Sequence, residues 1–161
     1  WPQLADDRLT ASLIADLHHL PADAMKTFVR AKGPERIILV SDCTRIAGLP
    51  PGKYREFGAV VELKPNGKLC LSGTDLLAGS ASFLLEGVIN AWRTTGLSLE
   101  QAFACATSAP AKTLGVRLPP SHAKLGRRAD FIVFEINRRS SAPKPRILAV
   151  FIEGRRVTPA A

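Results

Sequence analysis

A chain of 161 residues, 46% hydrophobic and 22% charged, has an ordinary globular composition, which excludes collagen, coiled coil and wholesale disorder. Its three cysteines, Cys43, Cys70 and Cys105, form no CxxC pair, so neither a disulfide framework nor a zinc knuckle is expected, and a reducing, cytoplasmic setting fits best. The net charge of +8 comes wholly from residues 112–161, where 11 basic residues face only Asp130, Glu135 and Glu153, whereas residues 1–111 balance 11 basic against 11 acidic residues.

In chain order, Ser12-Leu-Ile-Ala-Asp16 is a short apolar run ending in an acid, which predicts a buried strand over 12–16. Pro21 suits the first turn of a helix. Met25, Phe28 and Val29 continue it at helical spacing, and Gly33-Pro34 stops it. Ile37-Ile38-Leu39-Val40 then reads as a strand covered on both faces, as in a parallel sheet, so the three segments make a βαβ unit. In parallel α/β architectures functional groups collect beyond the carboxyl ends of the strands. Those ends carry His18-His19 and Ser41-Asp42 here.

Residues 49–72 differ in texture. Leu49-Pro50-Pro51-Gly52 reads as a turn, and Pro65-Asn66-Gly67 predicts a hairpin between strands at Val60–Leu63 and Lys68–Leu71. Leu85, Val88, Ile89 and Trp92 share one helical face, which Gly96 ends. Ser98 to Gln101 matches a capping box for a further helix, interrupted at Pro110 and finished near Leu114-Gly115. Phe131–Phe134 and Ile147–Ile152 are strand-like, with an exposed loop expected at 138–143 and a turn at Glu153-Gly154 before Arg155-Arg156-Val157. These last strands cannot bury two faces alone and call for a sheet supplied from elsewhere.

The ordered set Ile14-Ala-Asp-Leu-His-His-Leu20, Leu39-Val-Ser-Asp42, Ala47-Gly-Leu49 and Leu77-Ala-Gly-Ser80 resembles the N-acetylglucosamine-6-phosphate deacetylase family. Leu84 to Trp92 and Ala106 to Gly115 continue the likeness, and Gly126-Arg-Arg-Ala-Asp130 resembles the end signature of the wider amidohydrolase superfamily. The resemblance runs over nearly the whole chain. It implies α/β architecture: the C-terminal part of a distorted (β/α)8 barrel over residues 1–118, with a β-hairpin insertion at about 49–72, then strands of a small β-sandwich over 119–161. It implies Asp42 as the catalytic proton shuttle, His19 as a substrate contact, and Leu77, Ala78 and Gly79 as a substrate-binding stretch. The implied reaction is hydrolysis of N-acetylglucosamine 6-phosphate to glucosamine 6-phosphate and acetate, assisted by a divalent metal ion, Zn or Fe, that makes hydroxide available near neutral pH.

Other readings of these residues stand beside the implied ones. Asp42 also suits a turn carboxylate after a strand, His19 a surface histidine, and Leu77 to Gly79 a tight turn before a helix. Asp16 reads equally as a functional acid or a buried turn acid, His18 as structural or solvent-facing, and Cys43 as packing; His122 receives no role. The chain departs from the family at Leu17, where glycine is usual, and at Ser41 and Cys43, where Thr and Ala are common.

The family's metal ligands, a Glu and two His on earlier barrel strands, have no counterpart here, so no metal is expected on this chain alone and it is expected to be inactive alone. The chain opens on Trp1, and its natural N-terminus is expected upstream. The expected partners are the missing N-terminal half of the barrel, an amino-sugar phosphate and a second copy in a homodimer. A membrane is not expected, because no apolar run approaches the roughly 18–20 residues of a span. Two alternatives complete the reading: an amidohydrolase acting on another N-acyl or cyclic amide, and a noncatalytic anion-binding module built on the basic residues 112–161. The second predicts autonomous folding and salt-sensitive binding of polyanions. No nucleic-acid-binding motif accompanies that basic stretch, so a solvated surface or one paired with an acidic segment is expected there, and nucleic acid is not.

Overall fold

The computed structural model describes residues 1–117, 128–137 and 144–157. The expected loop at 138–143 and His122 lie outside them. The chain divides into two units, Trp1–Pro110 and Ala111–Ala161. In order, the elements are α1 (Pro2–Ala5), β1 (Ala11–Ile14), α2 (Ala22–Lys32), β2 (Ile37–Val40), β3 (Gly52–Glu56), β4 (Ala59–Leu63), β5 (Leu69–Leu71), α3 (Leu84–Thr95), α4 (Leu99–Ala106), α5 (Ser108–Thr113), β6 (Phe131–Glu135), β7 (Arg146–Ile152) and β8 (Arg155–Val157).

The β1–α2–β2 unit forms as its sequence requires. The two strands are parallel, with Ala11 opposite Ile37 and Ile14 opposite Val40. Pro21 stands just before the first helical residue, and Gly33 ends α2 at φ 72°, a backbone angle that L side chains disfavour. Leu13, Met25, Val29, Ile37 and Leu39 enter one core with Val88 and Ala91 of α3 and Ala102 and Cys105 of α4. Ile38 and Val40 are only half-buried, so β2 is fully covered on one face and partly on the other. The barrel is not closed: β1 and β2 form a two-stranded sheet. Lys32 is buried at the end of α2, and its ammonium donates to the Asp6 carbonyl at 2.6 Å, which ties the first residues to the helix.

Between β2 and α3 the chain forms an antiparallel sheet of three strands, β3-β4-β5, rather than the expected two. The turn between β3 and β4 is Phe57-Gly58, with φ of 50° and 77°, the double left-handed geometry of a tight hairpin. The Pro65-Asn66-Gly67 turn places only Gly67 in the left-handed region, and the Gly67 N–H donates to the Lys64 carbonyl at 2.9 Å. It is therefore a turn followed by a glycine bulge. Val61, Leu63 and Leu69 close with Ile46 into a second, smaller core.

Ser98 caps α4 as predicted: its hydroxyl accepts from the Gln101 N–H, and the Gln101 side chain accepts from the Ser98 N–H. The helical interruption falls at Thr107 (φ −131°, ψ −76°) rather than at Pro110. Pro110 lies instead in the first turn of α5, where its missing N–H has no intrahelical partner to lose.

In the second unit β6, β7 and β8 form an antiparallel sheet, with Phe131 opposite Phe151 and their rings stacked at 4.5 Å. Phe131, Ile132, Val133, Ile147 and Leu148 are all exposed. Neighbouring residues on a strand point to opposite faces, so both faces of this sheet present apolar side chains. Asp130 of the end signature accepts the Glu153 N–H at 2.6 Å, and the Ala129 carbonyl accepts the Gly154 N–H at 2.9 Å. Glu153 and Gly154 both have positive φ, so Ala129-Asp130 satisfies the backbone of the β7–β8 turn.

Candidate active site

Because β1 and β2 are parallel, the loops that follow them leave from the same end of the sheet. The strand predicted over 12–16 ends at Ile14 because Asp16 turns its carboxylate back on the chain. Its Oδ1 accepts the backbone N–H of His18 and of His19, each at 2.9 Å, and its Oδ2 lies 2.8 Å from Nδ1 of His19. Leu17, inside this turn, has φ 64°, which accounts physically for a glycine being usual there. Burial pushes the Asp16 carboxyl up, but the hydrogen bonds from the His19 and His18 backbone and from the His19 ring outweigh it. The net effect holds Asp16 below the ordinary carboxylate range, so it is ionised at neutral pH.

Asp42 follows β2 with φ 49°, a left-handed backbone that Asp tolerates better than most residues. Its side chain is 52% exposed, and Oδ2 lies 3.8 Å from Nε2 of His19, whose own side chain is 20% exposed. The loop carrying Asp42 is anchored on its far side by Arg45, which pairs with the buried Glu56 and donates to the Arg55 carbonyl at 2.7 Å.

Leu77, Ala78 and Gly79 are half-buried, with Leu77 bridged to Cys70 and the chain bending at Gly79. One end is stitched to β5, where the Ala78 N–H donates to the Leu69 carbonyl at 3.1 Å. At the other end the Ser80 N–H donates to the Asp42 carbonyl and the Thr44 N–H to the Ser80 carbonyl, each at 2.9 Å. Gly79 has φ 80°, and a Cβ there would sit 2.7 Å from Cγ2 of Thr44 and 3.7 Å from Oδ2 of Asp42. Asp42, His19 and Gly79 are thus brought together, while Leu77 and Ala78 lead away toward β5.

Of the residues left open or unread in the sequence, Asp16 joins the cluster directly. Asn90 of α3 supports it by donating to the Ala15 carbonyl at 2.9 Å. Nothing in the sequence signalled Asn90, because α3 also carries the polar Glu86, Arg93, Thr94 and Thr95. His18 is half-buried and faces away, its Nε2 3.8 Å from where a Cβ on Gly67 would lie. Cys43, read as packing, is exposed. The partial desolvation that its thiol nonetheless meets, then the Glu86 and Asp42 carboxylates, push it above the usual range, so it stays protonated at neutral pH and is a poor nucleophile.

Residues 4–157 match the Amidohydrolase family. The chain belongs to that family. It is 33% identical over 132 residues to a protein of Escherichia coli (strain K12) provisionally named N-acetylgalactosamine-6-phosphate deacetylase, covering 82% of this chain and 77% of that one. It is 33% identical over 120 residues to N-acetylglucosamine-6-phosphate deacetylase of Vibrio furnissii, covering 74% of this chain and 29% of that one. Among solved structures it matches an aspartate-to-alanine variant of N-acetyl-D-glucosamine-6-phosphate deacetylase from Mycobacterium smegmatis, in complex with N-acetyl-D-glucosamine 6-phosphate. That match has a TM-score of 0.78 and 26% identity, and covers 96% of this chain but 39% of the other. The chain therefore spans about a third of the length of the Vibrio and Mycobacterium enzymes.

Amidohydrolases are metal-dependent. Among the described residues no group of three or more His, Cys, Asp and Glu side chains is arranged to hold an ion. Asp16 already commits both oxygens to His18 and His19. The described residues of this chain do not by themselves make up a metal site.

Proposed function

We propose that this chain is the C-terminal part of an enzyme that hydrolyses the acetamide of N-acetylglucosamine 6-phosphate, giving glucosamine 6-phosphate and acetate, with Asp42 as its proton-transfer residue. The observation that carries the reading is the half-exposed Asp42 carboxylate facing His19 across 3.8 Å, in a chain similar to deacetylases of amino-sugar phosphates. Amide hydrolysis needs one group to move a proton twice. Water adds to the carbonyl carbon, and its proton passes to the Asp42 carboxylate. When the C–N bond breaks, the protonated Asp42 returns that proton to the nitrogen, which leaves poorly without it. In this reading His19 contacts the substrate through Nε2. In the same reading Leu77, Ala78 and Gly79 are a substrate-binding stretch, with Gly79 the member that lies beside Asp42.

The rest of the enzyme belongs to the same proposal. Residues 1–118 form the last barrel units and residues 119–161 strands of a β-sandwich, both completed by an N-terminal part. That part holds the divalent ion, Zn or Fe, and two copies associate in the cytoplasm, as the three free cysteines favour. Among the described residues no helix is long and apolar enough to cross a membrane.

A second reading takes N-acetylgalactosamine 6-phosphate instead, because identity to the Escherichia coli (strain K12) relative equals that to the Vibrio furnissii enzyme. Acetate release by the full-length enzyme from both epimers, from unphosphorylated N-acetylglucosamine and from a cyclic amide separates these readings. A kcat/KM highest for N-acetylglucosamine 6-phosphate supports the first. Preference for the galactose epimer selects the second, and turnover of the cyclic amide alone sinks both.

In the same enzyme Cys43→Ser is expected to leave kcat within about twofold, since a protonated thiol takes no part in the proton transfer. A loss beyond tenfold would give Cys43 a role that this mechanism lacks.

A further inference from the structure

We propose that Asp16 is a positioning residue, which holds His19 in the tautomer with its proton on Nδ1 and leaves Nε2 as an acceptor beside Asp42. The inference deepens the function proposed above and rests on it for its kinetic consequence. Its structural part stands on the hydrogen bonds between Asp16 and the His18-His19 turn.

An ionised carboxylate can only accept hydrogen bonds. Asp16 Oδ2 is 2.8 Å from Nδ1 of His19, so a neutral imidazole there carries its proton on Nδ1. The choice between tautomers is set by the partner of the other nitrogen. Asp16 is itself held fast: it is 7% exposed, and its Oδ1 is shared by the N–H groups of His18 and His19. Asn90 holds the carbonyl of the preceding residue at 2.9 Å. Gly87 of α3 packs against the same turn, where a Cβ would lie at van der Waals distance, 3.5 Å, from the Ala15 Cβ. The carboxylate therefore fixes the ring by two routes, through the backbone that carries it and through Nδ1.

The consequence appears at the other nitrogen. Nε2 then faces Asp42 Oδ2 across 3.8 Å, an acceptor opposite the carboxylate that receives the water's proton in the proposed mechanism. Two facing acceptors require a donor between or beside them. A substrate hydroxyl or amide N–H supplies it, as does the proton that Asp42 has taken from water. His19 thus selects a hydrogen-bond donor on the substrate and welcomes the protonated state of Asp42. An imidazole with its proton on Nε2 would instead donate toward Asp42 and hold it unprotonated.

The test uses the full-length enzyme with 15N-labelled histidine, the His19 resonances being assigned with His19→Gln. Long-range 1H–15N correlation spectra are expected to show His19 protonated at Nδ1 and bare at Nε2. Asp16→Asn keeps an oxygen for the two backbone N–H groups but turns an amide NH2 toward Nδ1, so the proton is expected to move to Nε2. With it kcat/KM is expected to fall on the order of 10²-fold, because a mispolarised histidine opposes the transfer it should assist. A merely structural Asp16 would lower stability without switching the tautomer. A wild-type His19 bare at Nδ1 overturns the proposal with no variant needed, which covers the case of an Asp16→Asn protein that does not fold. An unchanged tautomer in a folded Asp16→Asn protein overturns it as well. If the tautomer behaves as expected but no amino-sugar phosphate is deacetylated, the proposed function fails and the positioning role stands.

Discussion

Replacing Gly79 by alanine is expected to cost about 2–4 kcal/mol of stability and on the order of 10²-fold in kcat. Two physical effects add. The residue has φ 80°, a conformation that costs an L residue about 1–2 kcal/mol. Its Cβ would also sit 2.7 Å from Cγ2 of Thr44, closer than two carbons can approach. Relief requires residue 79 or Thr44 to move. Both are tied to Asp42, since the Ser80 N–H donates to the Asp42 carbonyl and the Thr44 N–H to the Ser80 carbonyl. The displacement therefore reaches the carboxylate proposed to move the proton, and a shift of about 1 Å in a reacting group costs on the order of 10²-fold.

Thr44→Ser separates the two effects. It removes Cγ2 while keeping the hydroxyl that accepts the Ile46 N–H at 3.2 Å. In the double variant the steric part is expected to return and the backbone part to remain, measured as a coupling between the two substitutions in thermal unfolding and in kcat. Strict additivity would show that the methyl contact does not matter.

The parts legible in the sequence were those whose signals are local. Ile37–Val40 became a parallel strand with the predicted limits, Ser98–Gln101 a capping box, and Glu153-Gly154 a turn, because each depends on residues within one or two turns of chain. The third strand of the inserted sheet was not legible. Gly52–Glu56 carries Lys53, Arg55 and Glu56, has no β-branched residue, and opens on the glycine of a Pro-Pro-Gly that reads as a turn. It is a strand because it pairs with Ala59–Leu63 through Phe57-Gly58, a tight turn without the Asn or Asp that announces one.

The candidate site divides in the same way. His19 and Asp42 stood out at the ends of adjacent strands, and a parallel sheet places such ends together. Asp16 remained ambiguous because turn acids and functional acids look alike in a sequence. What distinguishes this one is the direction of its second oxygen, toward Nδ1 of His19. Gly79 is remote from Asp42 in the chain, and only the return of the Leu77–Ser80 segment from the inserted sheet reveals why it bears no side chain.

The largest effect is expected at Asp42. Asp42→Asn in the full-length enzyme is expected to lower kcat by about 10³–10⁴-fold with KM within a few-fold, because an amide cannot take the water's proton or return it to nitrogen. The substitution is clean. Asn has the size of Asp and tolerates a left-handed backbone equally well, so the φ of 49° gives no reason for the loop to move. Nor does it remove a hydrogen bond of the Asp42 carbonyl to Ser80, which is a main-chain contact.

The most direct measurement is therefore acetate release from N-acetylglucosamine 6-phosphate by metal-loaded full-length enzyme, wild type against Asp42→Asn, with metal content and unfolding midpoint matched between the two. Robust wild-type turnover that collapses in a folded, metal-replete variant is the predicted result. Turnover that survives the substitution would remove Asp42 from the mechanism, and with it the central claim about this chain.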